Sequence, residues 1–166
     1  MFPGWLRLFF WDGEFTSSAE RPKLEICGKL RISEPGEARK TVCKFSQFVR
    51  DNAAVLHDHF KADLFPGSLN VDVVKPYLQS DLDAGQPTPT FVIPRNKLIG
   101  VPESIGDGQA WSCTLQTDSM TSPVRCWIFR RIGSRLPSGV IELVANVPLV
   151  TTHQLRDGDS VVIHVV

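Results

Sequence analysis

The sequence predicts a mainly β fold, a closed or nearly closed barrel with one amphipathic helix laid across it. Three observations carry this expectation. Short polar/apolar alternations recur along the chain, each interrupted by turn residues. Only one segment has helical periodicity. The 12 glycines and 12 prolines are scattered, with no repeat and no low-complexity tract. Many short strands with a single helix are accommodated best by a sheet that closes on itself, because closure pairs its edges.

The first strand is expected over Lys23 to Ile32. Ser33-Glu34-Pro35-Gly36-Glu37-Ala38 then forms a loop, since Pro fixes φ and the following Gly tolerates positive φ. The helix runs from Phe45 to Phe60. Phe45, Phe48, Val49, Leu56 and Phe60 form its apolar stripe, Arg50, Asp51 and Asp58 lie away from it, and Ser46 is its expected N-cap. Pro66-Gly67 makes a sharp turn. Ser68 to Val73 alternates strictly, as a half-buried strand does. Residues 75–90, rich in Pro, Gly, Asp and Gln, read as a long loop. Further strands are expected at 90–93, 98–101, 110–118, 124–130 and 140–147. Arg156-Asp157-Gly158-Asp159 is a turn, and Val161, Ile163 and Val165 alternate in a last strand.

A chain of 166 residues is one domain, residues 23–166, with a short N-terminal extension over 1–22. Such a domain buries roughly two-thirds of its unfolded surface and folds without disulfides or metal. Its 42% hydrophobic and 22% charged composition excludes a disordered chain. Lys plus Arg equals Asp plus Glu at 18 each, which argues against a dedicated nucleic-acid binder. Cys27, Cys43, Cys113 and Cys126 lack zinc or redox spacing and read as four small buried thiols. No run approaches the ~20 apolar residues of a bilayer span. The apolar stretch Trp5 to Trp11 is too short for one and lacks a basic leader, so the expected compartment is the cytoplasm. Its Phe and Trp side chains need cover, and self-association through this extension would supply it.

Leu64-Phe65-Pro66-Gly67-Ser68-Leu69-Asn70-Val71 is the strongest local constellation. Ser68 and Asn70 are two apart on a strand and point the same way, while Leu69 and Val71 point to the other face. Two neutral oxygens side by side suit Mg²⁺ when a ligand's phosphates supply the negative charge. The plainer alternative is a polar strand face bonded to nearby backbone. The 33–38 loop could offer backbone N–H groups to phosphate, or be an ordinary strand connection. His57 and His59 sit two apart on the helix and do not face each other, so a shared metal is not expected. His153 and His164 show no carboxylate companion in the sequence. Arg125, Arg130, Arg131 and Arg135 read as solvated edge charges, with an anion site as the alternative.

Three segments together resemble a known family: Gly28 with Gly36-Glu37-Ala38, then Leu64 to Val71, then Val140-Ile141-Glu142-Leu143-Val144-Ala145 followed by Leu155-Arg156-Asp157-Gly158-Asp159. Over residues 23–166 the chain is similar to the CTP-dependent riboflavin kinases, best known from archaea, which are six-stranded cradle-loop barrels. The resemblance implies transfer of the CTP γ-phosphate to riboflavin, giving FMN with Mg²⁺. It implies nucleotide contacts at Ser33, Gly36, Glu37 and Ala38, and a metal held by Ser68 and Asn70, where the family has Thr and Asn. It assigns no catalytic or flavin-binding side chain here. Partners other than CTP and riboflavin or FMN, such as nucleic acid or a membrane, are not expected. The chain also departs from the pattern. Glu34 and Ala38 stand where the family loop has glycines, Gly139 where it has Glu, and Pro148-Leu149-Val150-Thr151 where it has Lys-Leu-Arg-Glu. These departures leave a second expectation, a catalytically inactive barrel that binds a nucleotide, flavin or other phosphorylated ligand.

Overall fold

Alternation of apolar and polar residues turns one face of a strand inward, and seven strands are formed among the described residues. The structure, a computed structural model, describes residues 24–32, 45–74, 87–133 and 139–166. The strands are β1 (Leu24–Arg31), β2 (Leu69–Val73), β3 (Phe91–Ile93), β4 (Gly108–Thr117), β5 (Val124–Arg131), β6 (Val140–Val144) and β7 (Ser160–Val165). The sheet order is β3-β4-β5-β6-β2-β1-β7, and β7 also pairs with β4. Every pairing is antiparallel. The β4–β7 pairing therefore closes a ring of six strands, and β3 extends the sheet along the part of β4 that β7 leaves unpaired.

The inward residues recur with period two. Ile26 and Leu30, Leu69 and Val71, Trp111, Cys113 and Leu115, Ile141 and Leu143, and Val161, Ile163 and Val165 fill one interior cluster. Gly28 allows β1 to lie close on β2. A Cβ there would stand 2.7 Å from the Asp72 carbonyl oxygen and collide with the Val71 side chain.

A second apolar cluster covers the outer face. It packs Phe48, Val49, Leu56 and Phe60 against Ile93, Ala110, Phe129 and Val144. Phe60 meets Phe129 and Trp127 edge-on, with ring centroids 5.9 and 5.2 Å apart.

The structure corrects several expectations. The single helix is two, α1 (45–51) and α2 (Ala53–Phe60), broken at Asn52. The buried Asn52 side chain donates to the Phe48 carbonyl at 2.8 Å and to the Ile99 carbonyl at 3.0 Å, and accepts from the Ile99 N–H at 2.7 Å. A side-chain amide bonded to its own preceding turn interrupts helical geometry. The same bonds explain why 98–101 is not a strand. Its backbone groups at Ile99 bind Asn52, and its apolar signal comes from Leu98 and Val101, which are buried under the helices. Ser46 is not an N-cap, because α1 already includes Phe45 and the Ser46 hydroxyl donates to the Pro66 carbonyl at 2.6 Å. A short helix, α3 (Leu149–Thr152), follows β6 in a stretch for which no element was expected, and β6 ends at Val144 rather than at 147.

Cys27 is half-buried rather than buried, whereas Cys113 and Cys126 face each other in the interior with sulfurs 3.5 Å apart. Arg130 is buried rather than a solvated edge charge, and burial lowers its pKa from the usual guanidinium value. Arg131 lies 4.9 Å over the Phe48 ring. His164 does have a carboxylate companion, Glu25, its register partner on β1 at 3.8 Å. His57 and His59 bind separately, to Asp63 and to the Val55 carbonyl, each at 2.8 Å. Residues 1–22, the 33–38 loop, Cys43, Arg135 and 75–86 of the long loop lie outside the described residues.

Candidate functional site

The bend that delivers Ser68 is held from two sides. The Phe65 N–H donates to the Ala145 carbonyl at 2.8 Å, just beyond β6, and Ser46 of α1 holds the Pro66 carbonyl. The Gly67 N–H closes a tight turn onto the Phe65 carbonyl at 2.8 Å. The chain then enters β2 with Leu69 and Val71 buried in the barrel, so Ser68 and Asn70 are turned to the outer face.

Strand register adds a third oxygen group. Asn70 lies opposite Glu142 of β6 on one side and Arg31 of β1 on the other. The Ser68 hydroxyl donates a hydrogen bond to the Glu142 carboxylate. Ser68, Asn70 and Glu142 thus converge on one patch of the outer face. Burial pushes the Glu142 carboxyl up from its ordinary value, against the lowering effects of the Ser68 bond and the nearby Arg131 charge. The next outward carboxylate on β2, Asp72, is neutralised by Arg31 through a two-pronged contact at 2.6 and 2.9 Å.

The Asn70 amide oxygen is buried and has no hydrogen-bond partner among the described residues. A buried acceptor left unsatisfied costs about 1–3 kcal/mol, so it marks a place where a missing partner belongs. A hard divalent cation is such a partner, and Ser68 carries a second neutral oxygen on the same face, with Glu142 as the acceptor of its hydrogen bond. Among the described residues no three His, Cys, Asp or Glu side chains cluster as a metal site would need. A cation here would depend on the neutral oxygens of Ser68 and Asn70 and on the ligand's own phosphates.

A cavity of about 260 Å³ opens next to Ser68. Phe65 to Leu69 line one side, and Leu143, Ala145 and Val147 to Thr151 line the other, with no charged side chain among them. Thr151 supplies a polar group there, and its hydroxyl already donates to the Pro148 carbonyl at 3.3 Å. Gly139 has φ of +81°, a conformation shaped for glycine, and its carbonyl accepts from the Val73 N–H at 2.8 Å. A larger groove of about 630 Å³ lies between the β4–β5 turn and the loop before β7, away from Ser68 and Asn70.

Leu69 and Val71 are buried and Ser68 and Asn70 take the opposite face of the strand, as the alternation predicted. Ser33, Gly36, Glu37 and Ala38 lie outside the described residues, although the strand end that leads to them, Arg31, is paired with Asn70. Glu142 was missed as a site residue. Its signal in the sequence was a lone acid within the otherwise apolar strand Val140–Val144. Among the described residues no helix is long and apolar enough to cross a membrane.

The family model of CTP-dependent riboflavin kinases, described as domain of unknown function DUF120, matches residues 46–165. The match includes Ser68, Asn70 and Glu142 and begins after the 33–38 loop. No curated protein matches the chain significantly.

Proposed function

The chain belongs to the CTP-dependent riboflavin kinase family, and from that premise we propose that it binds CTP with Mg²⁺ and phosphorylates riboflavin to FMN. The observation that carries the reading is the convergence of Ser68 and the unpartnered buried Asn70 oxygen on one outer patch. In the reaction the riboflavin 5′ oxygen forms a bond to the γ-phosphorus. The bond from that phosphorus to the β–γ bridging oxygen breaks, CDP leaves, and the hydroxyl proton passes to solvent.

Ser68 and Asn70 would hold the Mg²⁺, which when bound offsets phosphate charge and aligns the phosphates. The rigid bend at Phe65–Gly67 keeps the Ser68 oxygen in place, and the β1–β2–β6 register does the same for Asn70. Positioning of this kind is most of what phosphoryl transfer asks of a protein. Pairing of Asp72 with Arg31 removes a carboxylate charge that would otherwise repel phosphate on this face.

A second reading has its own observation. Among the described residues the cavity beside Ser68 is lined by Pro148 to Thr151 with no cation, and Gly139 carries no acid at its position. These features favour a barrel that binds its ligand without turnover. Incubation with riboflavin, Mg²⁺ and either CTP or ATP, followed by chromatography of the flavins, separates the two. FMN formed faster with CTP supports the kinase. Calorimetric binding of Mg²⁺ and CTP without FMN supports the second reading, and no heat with CTP, riboflavin or FMN removes both.

A further inference from the structure

A hydroxyl oxygen binds a cation through its lone pairs, so its proton must be directed elsewhere. Ser68 directs that proton onto Glu142. Glu142 is fixed for the task by register, since it stands opposite Asn70 between the buried Ile141 and Leu143, and Arg131 lies near enough to offset its charge. A fold needs no acid here. The remaining residues of β6 are all buried and apolar, and any apolar side chain would suit the strand.

We infer that Glu142 is a positioning residue that accepts the hydrogen bond of the Ser68 hydroxyl and so turns the lone pairs of the Ser68 oxygen toward the divalent cation. The inference rests on the cation site proposed above and extends it by one residue. Outer groups of this kind typically carry about 10–100-fold of metal affinity when removed.

The test measures CTP affinity by calorimetry in Mg²⁺ and in EDTA, and takes the ratio as the metal-dependent part. Glu142→Leu should lower that ratio about tenfold, as should Ser68→Ala. Glu142→Gln keeps an acceptor oxygen and should stay within about threefold of the native ratio. The decisive readout is the double variant. With Ser68 already Ala, Glu142→Leu should cost nothing more, because the two residues act as one unit. Melting in EDTA verifies that each variant is folded, and Glu142→Ala, which also removes the acceptor, serves if Glu142→Leu does not fold. In that case Glu142→Ala should lower the ratio about tenfold alone and cost nothing more with Ser68→Ala.

An unchanged ratio in Glu142→Leu overturns the inference while the cation site stands. So does an additive double variant. A loss in Glu142→Gln as deep as that of Ser68→Ala also overturns it, since the carboxylate would then be a direct ligand. If native protein binds CTP equally well in Mg²⁺ and EDTA, the cation site itself fails and this inference fails with it.

Discussion

Asn70 holds a buried oxygen with no partner among the described residues, and its neighbour Glu142 holds a carboxyl that burial has pushed up. Both are costs to the unliganded fold. Replacing Asn70 by Ala removes an unsatisfied acceptor, so the variant should be as stable as native protein, within about 1 kcal/mol, by urea unfolding. Its Mg²⁺-dependent affinity for CTP should fall at least about tenfold by calorimetry. Unchanged affinity would remove Asn70 from the site. For Glu142 the folded state holds the proton more tightly than the unfolded chain does. The resulting stabilisation is full below the ordinary glutamate range and is lost as pH rises through the raised folded value. Glu142→Gln cannot lose a proton. With EDTA present, the stability of this variant relative to native protein should therefore grow as pH rises through that window. A gap that stays constant with pH would show that Glu142 is not strained by burial. The direction shared by Ser68 and Asn70 was legible in the sequence, because a period of two is a local property. Glu142 was visible only as an oddity, one acid in an apolar strand.

At the scale of elements, the helix layer depends on one amide. Asn52 joins α1 to the 98–101 segment through three hydrogen bonds and is almost fully buried. Asn52→Ala should cost about 2–4 kcal/mol, measured by urea unfolding, since it leaves the Ile99 backbone groups buried without their partner. A loss below 1 kcal/mol would mean that water replaces the amide there. The helical stripe at Phe48, Val49, Leu56 and Phe60 was correctly legible, because burial on one face has its own period. The break at Asn52 was not. Periodicity reports which face is apolar and does not report that a side chain bonds across to a distant loop. The same limit produced the false strand at 98–101, where two buried residues, Leu98 and Val101, imitated a strand signal.

Across the whole molecule, stability rests on closure. β7 joins β1 to β4, and Ile163 at its centre is fully buried in the interior cluster. Ile163→Ala should cost about 2–5 kcal/mol in thermal or urea unfolding, as cavity-forming changes in a tight core do. A cost under 1 kcal/mol would indicate that the ring is loosely packed at its closing strand. The candidate site depends on the same closure. Its three oxygen groups come from β2, the bend before it, and β6, and the neighbouring β1 neutralises Asp72.

The sequence by itself determined the mainly β class, five of the seven described strands to within a residue at each end, the shared direction of Ser68 and Asn70, and the family. All of these follow from patterns a few residues long or from motifs in a fixed order. Only the tertiary structure decided that Glu142 stands beside Asn70, that Asn52 splits the helix, that Arg130 is buried, and that the described residues around the cavity beside Ser68 carry no charge. The physical reason is that each of these depends on strand register or on contacts between segments far apart in the chain. Local alternation fixes which face a residue occupies and leaves open which distant residue it meets there.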